Sequence, residues 1–134
     1  MKIIFIKTTI TLLCLISACS RMETYTALDE TPDILPDYSN VVIPPNIAPL
    51  NFYIQGNDKR YLVRFIARSD SFDVYSKNNV NIPAKKWKRL LTENVGQKLT
   101  IRIFSKKETG WVKYSDLSMD IAVDKIDPDR KSVV

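Results

Sequence analysis

From Leu50 onward, apolar and polar residues alternate. Leu50, Phe52 and Ile54 interleave with Asn51, Tyr53 and Gln55, the two-residue period of a strand with one buried face. Gly56-Asn57-Asp58 then predicts a turn. In the next segment Tyr61, Val63, Phe65 and Ala67 alternate with Leu62, Arg64, Ile66 and Arg68. Both sets are partly apolar, which predicts a central strand. Phe72–Tyr75 and Val80–Ile82 read as further short strands, joined through Lys77-Asn78-Asn79. Leu99, Ile101 and Ile103 restore the alternation, Lys106–Gly110 forms a hairpin loop, and Trp111–Tyr114 starts the return strand. Leu117, Met119, Ile121 and Val123 complete it. Ahead of all these, Val41-Val42-Ile43 predicts a first edge strand, stopped by Pro44-Pro45.

One segment keeps a different period. Trp87, Leu90 and Leu91 fall at i, i+3 and i+4, and Lys85, Lys86, Lys88 and Arg89 take the remaining surface. Pro83 suits a first helical position, and Asn94 or Gly96 can end the helix in the left-handed conformation. Two to three turns are too few to be stable alone, so the helix must dock, with Trp87 as anchor. The predicted fold is therefore all-β: an immunoglobulin/fibronectin-III-like β-sandwich of six to seven strands with one short inserted helix, over residues 41–126. The missing Cys-Trp-Cys pattern separates it from true antibody-type domains.

The N-terminus carries a different signal. Lys2 and Lys7 form a positive n-region, and Ile3–Ile6 with Thr8–Ile16 supply an apolar stretch too short to span a bilayer, in the manner of a secretory signal peptide. Ile16-Ser17-Ala18-Cys19 then reads as a bacterial lipobox: an aliphatic residue, two small residues that admit the peptidase, and a cysteine whose thiol takes up diacylglycerol. The expectation is cleavage of residues 1–18 and lipidation of Cys19, with acyl chains such as palmitate holding the protein on the membrane. Ser20 follows the cysteine instead of Asp, which in the enteric sorting rule, for lipoproteins exported to the periplasm, favours the outer membrane. Residues 19–40, polar and broken by Pro32 and Pro36, read as an extended acidic linker.

Composition narrows the chemistry. The chain has no histidine, and its two cysteines are Cys14, inside the signal peptide, and Cys19. Zinc sites of Cys/His type, Ser-His-Asp and Cys-His nucleophile systems and haem attachment are thereby excluded. Three glycines leave no phosphate-cradling loop. No cofactor and no metal are expected. Net charge is +5, unevenly placed. Glu23, Asp29, Glu30, Asp33 and Asp37 stand against Arg21 in the linker, whereas Lys59–Lys113 holds fourteen bases against Asp70, Asp73, Glu93 and Glu108. An acidic tether leads into a basic domain, and these bases read first as solvated faces of strands and helix.

The last residues break the pattern. Asp129–Val134 can be encoded by GATCGGAAGAGCGTCGTG, a common sequencing-adapter sequence whose next codon is a stop. The expectation is an artefactual tail over 129–134 on an end truncated from 127, so that the chain is a fragment.

The strings "PDYSNVVIPPNIAPLNF" (Pro36–Phe52), "PAKKWKRLL" (Pro83–Leu91) and "DKIDP" (Asp124–Pro128) resemble the N-terminal region of large bacterial lipoproteins that are similar to the translocation protein TolB. In that family an Ig-like region precedes a β-propeller of TolB-type repeats. The resemblance implies an anchor, spacer and protein-interaction module for a propeller that this sequence lacks; any activity of the propeller is not carried over.

Three functional readings follow. The first is a non-catalytic, lipid-anchored envelope module whose partners are the membrane and an envelope protein or its own C-terminal propeller. The second is glycan or peptidoglycan binding, with Trp111, Tyr114 and Tyr53 as contact residues. The third is hydrolysis by carboxylates, for which Asp70 with Asp73 and Asp116 with Asp120 are the candidates; turn aspartates more often bond their own backbone, and the chain is read as no enzyme. Lys85, Lys86, Lys88 and Arg89 are candidates for contact with an anionic surface, and export argues against nucleic acid.

Overall fold

The computed structural model describes residues 24–127. The signal peptide, Ile16–Cys19, and the tail from Pro128 lie outside the described residues. The elements in chain order are β1 (Tyr25–Ala27), β2 (Ile34–Leu35), β3 (Val42–Ile43), β4 (Phe52–Ile54), β5 (Arg60–Ala67), β6 (Asp70–Ser76), β7 (Asn79–Val80), α1 (Ala84–Glu93), β8 (Lys98–Lys107), β9 (Gly110–Lys113) and β10 (Leu117–Ile121).

They form an all-β sandwich with one inserted helix. β5 lies at the centre of the larger sheet, between β6 and β8, both antiparallel to it. The far side of β8 is lined in file by β9 and β10, with β1 parallel to β9 and β3 parallel to β10 outside them. The smaller sheet is antiparallel, in the order β2–β4–β7. Tyr61, Val63, Phe65 and Ala67 of β5 and Leu99, Ile101 and Ile103 of β8 point inward with Leu117, Met119 and Ile121. Ile34, Phe52, Ile54 and Val80 of the smaller sheet, with Trp87, Leu90 and Leu91 of α1, cover them.

Trp87 is the anchor that its helical spacing predicts. It is 1% exposed, meets Phe65 edge-on at 6.0 Å, and donates its indole N–H to the Ile47 carbonyl at 3.1 Å. Pro83 sits one position earlier than expected. It is the extended cap residue, and its carbonyl accepts the first helical bond from the Trp87 N–H. Of the two proposed terminators, Gly96 takes the left-handed conformation, at φ +76°. Asn94 instead turns its buried amide back to the Leu90 carbonyl (2.8 Å) and out to Asp70 (3.3 Å).

The linker expectation needs correction. Tyr25–Ala27 pairs with Trp111–Lys113, and Ile34–Leu35 pairs with Tyr53–Ile54. The sandwich thus begins near Tyr25, not near residue 41. Two- and three-residue strands are too short to display a period, and an edge position asks mainly for backbone hydrogen bonds. For the same reason the two sheets hold more strands than six or seven.

Between β9 and β10 the return strand carries an extra residue. Phe104 faces Lys113, yet Ile101, three residues back, faces Leu117, four residues on. This bulge at Tyr114–Asp116 switches which residues point outward.

Candidate functional site

The outward face of the larger sheet is where the chain concentrates charge and aromatic rings. Even-numbered positions of β5 and β8 point there. Arg64 lies directly opposite Asp73 on one side and Arg102 on the other. Two arginines face to face would repel. Each is neutralised by a fork: Arg64 Nε and Nη2 donate to the two Asp73 carboxylate oxygens at 2.7 and 2.9 Å, and Arg102 Nε and Nη2 donate to those of Asp116 at 3.0 and 3.0 Å. Lys113 Nζ lies 3.3 Å from the same Asp116 carboxylate. Asp116 reaches the row because the bulge turns it outward. The result is a five-residue ladder, Asp73–Arg64–Arg102–Asp116–Lys113, across the sheet.

The side chains of this ladder, Lys113 apart, are about one-third exposed, so each pair is of the modest, screened kind. The fork to Arg102 holds the Asp116 carboxyl below the usual carboxylate range, with Lys113 adding to the effect. The hydrogen bonds they donate to Asp73 and Asp116 raise Arg64 and Arg102 respectively.

Beside the ladder sits a second set of contacts. Leu62 and Phe104 point outward yet are essentially buried. Tyr25 of β1 covers Phe104 edge-on at 5.2 Å, and the Arg64 guanidinium lies 5.8 Å above the same ring. Arg60 stands 4.9 Å over Tyr75, and Lys106 stands 5.5 Å over Trp111. A cation over a ring keeps its charge available to a third partner while its stem is held in place.

At the same end of the sheet, Asp58 ties the β4–β5 turn to β8. It accepts hydrogen bonds from the buried Ser105 hydroxyl and from Lys107 Nζ, the latter at 3.3 Å to each oxygen. These bonds raise the Lys107 amine above its ordinary value. Burial pushes the nearby Tyr61 and Tyr114 hydroxyls up.

The residues singled out from the sequence do not form one platform. Trp111 is on the outward face of the larger sheet, half-buried beside Lys106. Tyr53, 43% exposed, points away from the core on the smaller sheet, on the opposite side of the sandwich. Tyr114 is partly buried against the core at the bulge. The three cannot stack on one sugar chain. Lys85, Lys86, Lys88 and Arg89 are exposed along α1, and Arg89 pairs with Glu93 at 3.2 Å. Lys86 and Arg89 share an open groove of about 720 Å³ with Phe72, Asp70, Arg64 and Arg102, wrapped around the free edge of β6.

Three of the four candidate catalytic carboxylates are engaged elsewhere, and the fourth, Asp120, is exposed on β10. Asp73 and Asp116 serve the two arginine forks, and Asp70, on the other face of β6 from Asp73, accepts from Asn94. Among the described residues, no group of three or more acids, cysteines or histidines is placed to hold a metal, and no helix is long and apolar enough to cross a membrane.

Sequence reasoning missed Tyr25 and Phe104 as members of the outward cluster. Tyr25 lay in a supposed linker, and the pairing that brings Phe104 beside Arg64 requires the register. Tyr75 is among the aromatics that the sequence offers for stacking on a sugar, and it stands under Arg60. No family model matches the chain, and no curated protein matches it.

Proposed function

We propose that the chain is a non-catalytic, lipid-anchored module of the cell envelope, in the outer membrane, that holds and presents a protein-interaction surface. The observation that carries this reading is the outward face of the larger sheet. Its charges are pre-paired across the sheet, its aromatics are covered by cations, and the segment arriving from Cys19 is stitched into its border through Tyr25. Such a face is ordered before any partner arrives, so binding loses little side-chain freedom. The resemblance to TolB-like lipoproteins points to a C-terminal propeller as the partner.

The test has two parts. Lipidation is read by the mass of the purified protein and by incorporation of labelled palmitate, both of which Cys19→Ser abolishes. The interaction role is read by crosslinking in intact cells. Capture of one envelope protein, lost in Arg64→Glu/Arg102→Glu but kept in a helix variant such as Lys85→Glu, supports the reading. No crosslinked partner counts against it.

A second reading, glycan binding, rests on Trp111 alone. Because Trp87 is buried, any fluorescence change on titration with peptidoglycan fragments reports Trp111. An unchanged spectrum removes this reading.

A further inference from the structure

We infer that one end of the larger sheet, a rim formed by Tyr25, Arg60, Tyr75, Lys77, Lys106 and Trp111, rests on the anionic phospholipid headgroups of the membrane that holds the anchor. This deepens the lipid-anchor reading and rests on it for the tether.

The rim is assembled by register. Arg60 opens β5 opposite Lys106, and β6 closes at Ser76 opposite Tyr61, so Lys77 emerges at the same end. The β8–β9 hairpin turns there, with Lys106 opposite Trp111, and Trp111 is in turn opposite Tyr25. Lys59 and Lys107 add charge at this end, and Asp58 and Glu108 are its acids. Tyr25 and Tyr75 are each about half exposed, at 50% and 49%. Basic residues interleaved with Tyr and Trp are the chemistry that suits a headgroup layer. The cations meet phosphates, and the rings take the amphipathic interface.

Tether length selects this end of the molecule. Tyr25 lies six positions after Cys19, a reach of at most about 21 Å when fully extended. Tyr25 enters the sheet beside Trp111, at the hairpin end. The opposite end carries the β5–β6 turn and the C-terminus of α1, where Asn94 meets Asp70. The lysines of α1 are therefore the weaker candidates for this contact, despite their density in the sequence.

The experiment uses the full mature protein, inserted through its lipid into vesicles of phosphatidylcholine with phosphatidylglycerol, with bromine on the acyl chains as a quencher. Trp87 is buried in the core and serves as internal reference. The expected result is quenching of Trp111, absent in Trp111→Phe and weakened by high salt. Arg60→Glu/Lys77→Glu/Lys106→Glu lowers the docked-to-free ratio at least about tenfold, while Lys85→Glu/Lys86→Glu/Lys88→Glu leaves it unchanged, each variant having kept its circular dichroism spectrum. No Trp111 quenching in protein whose Cys19 is confirmed as lipidated by mass overturns the rim and leaves the anchor standing. Quenching that ignores phosphatidylglycerol content, with Trp111 responding to an acidic polysaccharide instead, also overturns it. If Cys19 proves unmodified, the anchor reading falls, and the same protein titrated with the same vesicles decides the rim: quenching that depends on anionic lipid supports it, and none overturns it.

Discussion

The two faces of the larger sheet are made from the same strands and follow opposite rules. The inward face of β5 and β8 is Tyr61, Val63, Phe65 and Ala67 against Leu99, Ile101 and Ile103, sealed by Trp87. The outward face of the same strands carries Arg60, Arg64, Arg102 and Lys106, whose positions are set by carboxylates and rings. Area removed from water stabilises the first, and no one residue of it depends on a particular partner. The second depends on pairing, because either fork removed leaves a charge facing a like charge. The inward face should therefore dominate stability and ignore salt. The charged pairs of the outward face, set beside the buried Leu62 and Phe104, should contribute little to stability and answer to pH and ionic strength.

The most forceful way to break this contrast is at the anchor of the inward face. Trp87→Ala should cost about 3–5 kcal/mol, a large share of the stability of a domain this size, with urea denaturation as the measure. A next, smaller effect is expected at Gly56. A methyl added there would overlap the Tyr61 hydroxyl. Tyr61 is 1% exposed in packed surroundings and has little room to move. Gly56→Ala should cost about 1–3 kcal/mol by overpacking, and Tyr61→Phe, by removing the hydroxyl, should restore much of the loss in the double variant.

On the outward face the expected effects are smaller. Asp116→Asn should cost about 0.5–1 kcal/mol at pH 7 after allowing for its exposure. The sign with pH follows from the depressed carboxyl. The Arg102 fork holds the Asp116 carboxyl of the folded protein below the usual carboxylate range. Its contribution is thus complete above about pH 4 and is lost as pH falls through the folded-state value. Stability curves of the parent and Asp116→Asn should converge in acid; curves that stay parallel would remove the fork as their cause. The smallest effect is salt. The Arg64–Asp73 coupling, from a double-mutant cycle with Met and Asn replacements, should be a few tenths of a kcal/mol and shrink in about 1 M sodium chloride. The cost of Trp87→Ala should not shrink.

The same contrast explains what could be read from the chain. The inward face announces itself locally. Strict alternation through Leu50–Ile54, Tyr61–Ala67 and Leu99–Ile103 located three strands, and the 3.6-residue spacing of Trp87, Leu90 and Leu91 located the helix and its anchor. The outward face is non-local. Arg64 and Arg102 are thirty-eight positions apart, and nothing in either segment indicates that they face each other across one strand pair. Asp116 joins them only because a bulge re-aims it, and a bulge leaves no periodic trace. Tyr25 was hidden for another reason. A three-residue edge strand in an acidic, proline-broken stretch is held by backbone bonds that any sequence can make.

The parallel pairing of β1 with β9 and of β3 with β10 also settles how the domain would answer to a pull. A load drawn between Tyr25 and Ile126 would drag β1 toward its own start and the β9–β10 strand toward its own end. Because these strands run in the same direction, their bonds are strained lengthwise and together, not opened one after another like a zipper. Asn46, bonded to both the N–H and the carbonyl of Ile126, fastens the far end of that path. A pull on these two points would therefore load two parallel seams, β1–β9 and β3–β10, in shear.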